Sequence, residues 1–122
     1  MPELRKYTRL NAEGTVILRP KNDTSRSIKA DLVDISFYGM GVYTQEKLEA
    51  DTDVKLELIA KLYNEPIIME GRIKYAKEIK RQDKNVFRIG IEFISTEKKD
   101  IQYLMAHIQA NKYAKLRGRK VS

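Results

Sequence analysis

The feature that most limits what this chain can become is a strict period of two. It is clearest over Val86–Ile94, where Phe87, Ile89, Ile91 and Phe93 alternate with Arg88, Gly90 and Glu92. Side chains on a strand point alternately to opposite faces, so such a run belongs to a sheet that is buried on one side and wet on the other. The same alternation recurs upstream. Thr15–Lys21 sets Val16 and Leu18 against Thr15 and Arg19, with Pro20, Asn22 and Asp23 as edge and turn residues. Ser27–Ile35 places Ile28, Ala30 and Leu32 opposite Lys29 and Asp31, and Met40, Val42 and Tyr43 resume an extended pattern after a tight turn. Val54–Leu62 and Ile67–Ala76 flank Tyr63-Asn64-Glu65-Pro66 as a hairpin, the second strand reading Ile67, Met69, Gly71, Ile73, Tyr75 along one face.

From Ser95 the period lengthens. Ile101, Leu104, Met105 and Ile108 fall at helical spacing, Ser95 or Thr96 offers a cap, and Glu97 and Asp100 sit near the positive end of the helix dipole. Six short strands followed by one amphipathic helix predict a mainly β fold, a six-stranded antiparallel barrel or sandwich with the helix packed on it. That pattern alone equally describes an oligonucleotide-binding fold or an SH3-like barrel, so the architecture does not name a function. Between the strands, Gln45–Asp53 and the charged stretch 77–85 read as loops. The 122 residues, 42% of them apolar, suffice for one core. Residues 1–12 read as a basic arm, 13–116 as the barrel and its helix, and 117–122 as a basic tail.

Composition narrows the chemistry. There is no cysteine, hence no disulfide, thiolate nucleophile or zinc–thiolate site, and His107 is the only histidine. His107 falls on the predicted helix, where a surface or half-buried position is the ordinary reading, so no catalytic or metal-binding residue is assigned. No nucleophile–base pair and no Gly-rich phosphate loop is present, and the chain reads as a binding protein rather than an enzyme, with no cofactor. No apolar run is long enough to span a membrane and the N-terminus has no signal-like core, so a cytoplasmic protein is expected. The net charge of +7 is uneven, since residues 31–71 hold nine carboxylates against three lysines. Such a field favours an anionic partner without choosing one.

Two local patterns carry more. Arg5-Lys6-Tyr7-Thr8-Arg9 puts two arginines four apart in the arm, and Asp34-Ile35-Ser36-Phe37-Tyr38-Gly39 sits where a strand meets a turn. Either alone is weak, because spaced arginines are common in a basic chain and Asp-x-Ser before Gly is ordinary turn chemistry. Together and in this order they resemble the PilZ domain family, whose signature is RxxxR followed by [D/N]xSxxG. Gly71-Arg72-Ile73-Lys74-Tyr75 and Arg88-Ile89-Gly90-Ile91-Glu92-Phe93 resemble its later strands, so the likeness spans roughly residues 4–116.

The resemblance implies a PilZ-type β-barrel that binds cyclic di-GMP, a bacterial second messenger, through Arg5, Arg9, Asp34, Ser36 and Gly39. The residue types suit that ligand. Guanidinium forks match guanine O6 and N7 and grip phosphodiesters, while Asp34 and Ser36 offer acceptors to guanine N1–H and N2–H. Gly39 would leave room for the base or the turn, and Gly39 and Gly41 are expected where other residues could not adopt the backbone. Leu4 stands where some members carry another basic residue, which leans weakly towards one bound nucleotide rather than a stacked pair. Any signal then leaves through an effector protein or through self-association as a homodimer. Two competing readings are a nucleic-acid-binding barrel that stacks bases on Tyr7, Tyr38, Tyr43 and Tyr75, and a PilZ-like protein-interaction module that binds no nucleotide. The acidic stretch 31–71 disfavours nucleic acid, and tyrosines at such positions more often pack in the core or at an edge.

Overall fold

The structure, a computed structural model, describes residues 10–60, 65–95 and 101–110. Seven strands occur among them: β1 (Leu10–Asn11), β2 (Gly14–Pro20), β3 (Ile28–Ile35), β4 (Gly39–Thr44), β5 (Asp53–Ala60), β6 (Ile67–Arg81) and β7 (Lys84–Ser95). The hydrogen-bonded order β3-β2-β5-β6-β7-β4 is closed by a β3–β4 pairing, and every pairing is antiparallel. The result is the expected six-stranded barrel. Closure removes the open edges that an isolated sheet would expose, with β1 added as a short strip on β3.

The alternation does what it predicts. Val16 and Leu18 of β2, Leu56 and Leu58 of β5, and Ile89 of β7 are wholly buried. Each such side chain contributes about 1.5–3 kcal/mol by leaving water. Residues 101–110 form a helix, α1, whose Ile101, Leu104 and Ile108 join the same core, with Met105 packed against it. Of the two candidate caps, Ser95 ends β7, while Thr96 lies outside the described residues, as do Glu97 and Asp100. His107 is on the exposed face of α1.

Three expectations are corrected. Residues 77–85 are not a loop: β6 and β7 continue as a paired ribbon from Ala76↔Ile89 to Arg81↔Lys84. The ribbon turns at Gln82 and Asp83, whose φ values of 54° and 63° are those of a two-residue type I′ hairpin. The backbone ladder holds this extension although it runs beyond Ala76 and Phe87, the last residues to pack against the core. Second, the arm read over 1–12 ends in structure, because Leu10 pairs with Ile35 and Asn11 with Asp34. Third, none of the described glycines has positive φ. Gly39 is required instead by close approach, since a Cβ there would overlap the backbone carbonyl oxygen of Ile91.

Candidate functional site

Two β-bulges aim the side chains at the site. Along β3 the buried positions are Ile28, Ala30 and Leu32, and by parity Asp34 would be the next to point inward. The β3–β4 register shifts between Leu32 and Asp34, so Val33 is the extra residue, Ile35 takes the core position, and Asp34 faces outward opposite Gly41. In β6 the register shifts between Ile73 and Tyr75. Ala76 thereby turns inward opposite Ile89, and Tyr75, which simple alternation puts on the buried face, is 47% exposed above Gly90.

The outer face therefore carries a row across four strands: Asp34 on β3, Gly41 on β4, Gly90 on β7 and Tyr75 on β6. The next row holds Tyr43, Arg88 and Lys77. Arg88 reaches from that row over Gly41, its Nη2 donating to Asp34 Oδ2 at 2.9 Å, with the two side chains only 24% and 14% exposed. Burial by itself would lower the Arg88 pKa, but the Asp34 carboxylate and the Tyr75 hydroxyl outweigh it and hold the guanidinium above its ordinary value. Tyr43 carries the Arg81 guanidinium over its ring at 4.4 Å and that of Arg88 at 5.8 Å.

Below Asp34 the chain turns. The Ser36 backbone N–H donates to Gly39 O at 2.8 Å, the Ser36 hydroxyl donates to the same oxygen at 3.4 Å, and it accepts from the Tyr38 N–H at 3.2 Å. Ser36 is 2% exposed, so in this structure its hydroxyl serves the turn. The turn is tied to β7 by the Phe93 N–H donating to Tyr38 O at 2.9 Å.

Of the residues singled out in the sequence, Asp34, Ser36 and Gly39 come together at this turn. Arg5, Arg9 and Tyr7 lie outside the described residues. The first described residue after them, Leu10, is paired with Ile35. Tyr38 and Tyr75 are 45% and 47% exposed rather than packed away, and Tyr43 is half-buried. Arg88 and Arg81 had not been singled out. The visible signal for Arg88 was its place beside Gly90 on the polar side of the clearest strand, but only the β4 register shows that it meets Asp34. Among the described residues there is no cluster of three or more metal-ligating side chains, and no helix is long and apolar enough to cross a membrane.

The sequence profile described as "PilZ domain" matches residues 3–110. The PilZ domain of YcgR from Escherichia coli, solved with c-di-GMP, superposes with a TM-score of 0.76 at 14% identity, covering 93% of this chain and 97% of that one. K. pneumonia MrkH superposes at 0.74 with 19% identity, covering 88% of this chain and 50% of that one, and a further MrkH structure is a c-di-GMP complex. The Bacillus subtilis inhibitor of motility MotI superposes at 0.68 with 16% identity over 91% and 52%. The chain thus spans about half the length of MrkH and MotI. At these identities the superpositions establish the barrel fold. No curated protein sequence is similar enough to count as a relative.

Proposed function

Because the chain belongs to the PilZ domain family, we propose that it is a receptor for cyclic di-GMP, binding the nucleotide on the outer face of the barrel and signalling to a protein partner. The observation that supports this reading is the register of β1: Leu10 lies opposite Ile35 and Asn11 opposite Asp34, so the described chain that follows the arginine motif runs beside the Asp34–Gly39 turn. The family ligand has two anionic phosphodiesters and two guanines, and the site offers a group for each. Arg5 and Arg9 supply forks for the phosphates and for guanine O6 and N7. Asp34 accepts from guanine N1–H and N2–H, and Arg88 holds that carboxylate in place through its 2.9 Å ion pair. Ser36 and Gly39 contribute through the shape of the turn, Ser36 by its hydrogen bonds and Gly39 by letting β4 close on β7. Tyr75 offers an exposed ring on which a base can stack.

On this reading binding ties the arm to the barrel, and that change of surface is what a partner reads. The domain binds and does no chemistry, and it works in the cytoplasm with its messenger. The deciding experiment titrates the pure protein with cyclic di-GMP, GTP and single-stranded DNA at physiological salt. Saturable binding selective for cyclic di-GMP is expected. Salt-steep binding to random oligonucleotides with no response to cyclic di-GMP would replace this reading with the nucleic-acid one.

A further inference from the structure

The site does not stop at Asp34. Beyond Arg88 and Tyr43 it opens into a cleft of about 560 Å³ between the β6–β7 ribbon and the β3–β4 side of the barrel. Small-ligand clefts run from about 300 to 1,000 Å³. Ile28 and Val86 give it an apolar floor, Lys29, Arg81 and Lys84 line it with cations, and Asp31 adds a carboxylate. Glu46, also in the lining, is taken up by Arg26 at 2.7 Å. Among the described residues the cleft thus sets three cations against Asp31 and the Arg26-paired Glu46, with Gln45 and Gln82 as further amide groups, and Asp31 is the carboxylate in no ion pair among those residues. Its flat element is the Arg81 guanidinium, laid on the Tyr43 ring at 4.4 Å while Arg81 as a residue remains exposed. A guanidinium backed by an aromatic ring is a stacking deck for a nucleobase, and its N–H edge remains available to an anion.

We infer that this cleft takes a guanylate unit, with the base on the Arg81–Tyr43 deck, Asp31 accepting from its N–H edge, and Lys29 and Lys84 at the phosphate. The inference rests on the proposed function, because the unit in question is the second guanylate of the cyclic dinucleotide whose first base meets Asp34. The two halves are bridged by Arg88, which touches Asp34 at 2.9 Å on one side and lies 5.8 Å from the Tyr43 ring centroid on the other. The geometry explains why the ribbon extends beyond the barrel: only there does β6 carry Arg81 over β4.

The test is calorimetry on the full chain with cyclic di-GMP and with GMP, using wild type, Arg9→Ala, Arg81→Met, Arg81→Lys and Lys80→Met. Lys80 is the control, being on the opposite face of the same strand with the same charge. Thermal melts verify that each variant folds. Arg81→Met is expected to weaken cyclic di-GMP about tenfold, and Arg81→Lys, which keeps the charge and loses the plane, by most of that. Lys80→Met should stay within about twofold. An Arg81→Met affinity within about twofold of wild type, with Arg9→Ala impaired, overturns the cleft and leaves the receptor reading standing. Equal losses in Lys80→Met and Arg81→Met overturn it as well, because a general field then accounts for the effect. If Arg81 variants lose only GMP, the cleft belongs to a free mononucleotide and the shared-ligand assignment falls. Absence of cyclic di-GMP binding by wild type removes both readings together.

Discussion

Gly41 and Gly90 stand opposite one another across β4 and β7, and the strip of bare backbone they leave is filled by their neighbours' side chains. A Cβ on Gly41 would lie 2.7 Å from Arg88 Nη2 and 2.9 Å from Asp34 Oδ1, and one on Gly90 would overlap the Tyr75 ring. The ion pair and the ring thus rest directly on the barrel wall, where the wall shields them from water on one side.

The glycines separate structural from binding roles. A Cβ on Gly39 meets a carbonyl oxygen of the β4–β7 ladder, which cannot move without parting the strands, so Gly39→Ala should cost about 1–3 kcal/mol in urea denaturation. A Cβ on Gly90 meets only the outer end of an exposed side chain, so Gly90→Ala should cost under about 1 kcal/mol while displacing Tyr75 and weakening nucleotide binding. Equal stability losses would contradict this division.

The Arg88–Asp34 pair should behave differently from the surface pairs. Lys74 and Glu92 are 3.6 Å apart with both side chains about half exposed, and removing either should change stability by no more than a few tenths of a kcal/mol. Arg88→Met leaves a largely buried carboxylate without its cation and should cost about 1–2 kcal/mol. With Asp34→Asn, a double-mutant cycle should return a coupling of about 1 kcal/mol. A coupling indistinguishable from that of Lys74 and Glu92 would mean that Arg88 does not hold Asp34.

Binding by the arm follows the strength of a charged hydrogen bond. An arginine contact to a phosphate or guanine contributes about 1.5–3 kcal/mol, so Arg9→Ala should weaken cyclic di-GMP about ten- to a hundredfold. Arg5→Ala should act in the same direction. Unchanged calorimetric affinity in both variants would remove the arm from the site.

The strands and α1 were legible because each has one buried face, which turns period two or 3.6 into a readable pattern. The ribbon beyond Ala76 and Phe87 was not, because Lys77, Lys80, Arg81 and Lys84 are all exposed and the pattern has no dry face to mark. The motif located Asp34, Ser36 and Gly39 correctly as one turn, yet their outward or inward sense depended on a bulge at Val33 that alternation does not announce. Tyr75 was misread for the same reason, one bulge at Lys74 inverting its side. Arg88 lies 54 positions from Asp34 in sequence, and only the closed order of strands makes them neighbours.

Acid should reveal a pair away from the site. The Arg72 hydrogen bond, 2.8 Å to Asp53, holds the Asp53 carboxyl below its ordinary value against the opposing pull of desolvation. A carboxylate lowered on folding stabilises the native state above its unfolded pKa and ceases to do so as pH falls through the folded one. Asp53→Asn should therefore melt below wild type at neutral pH, and the gap should close as pH falls through the lowered Asp53 pKa and the carboxyl protonates. A gap that persists in acid would show that packing, not the charge, is at stake.

The turn at the ribbon tip is strained by its residues. Gln82 and Asp83 both adopt positive φ, a conformation that Asn and Gly accept with far less cost than Gln and Asp. Replacing the pair by Asn-Gly should raise stability by about 0.5–1 kcal/mol if the ribbon unfolds together with the barrel. The more informative outcome is local. If the ribbon frays independently, the global melt stays put while amide exchange slows at Lys80, Arg81 and Lys84, because a tighter turn closes the ladder more often. In either case Arg81 spends more of its time over Tyr43, so the same variant should bind cyclic di-GMP at least as tightly as wild type, and weaker binding would mean that the ribbon must open for the ligand to enter.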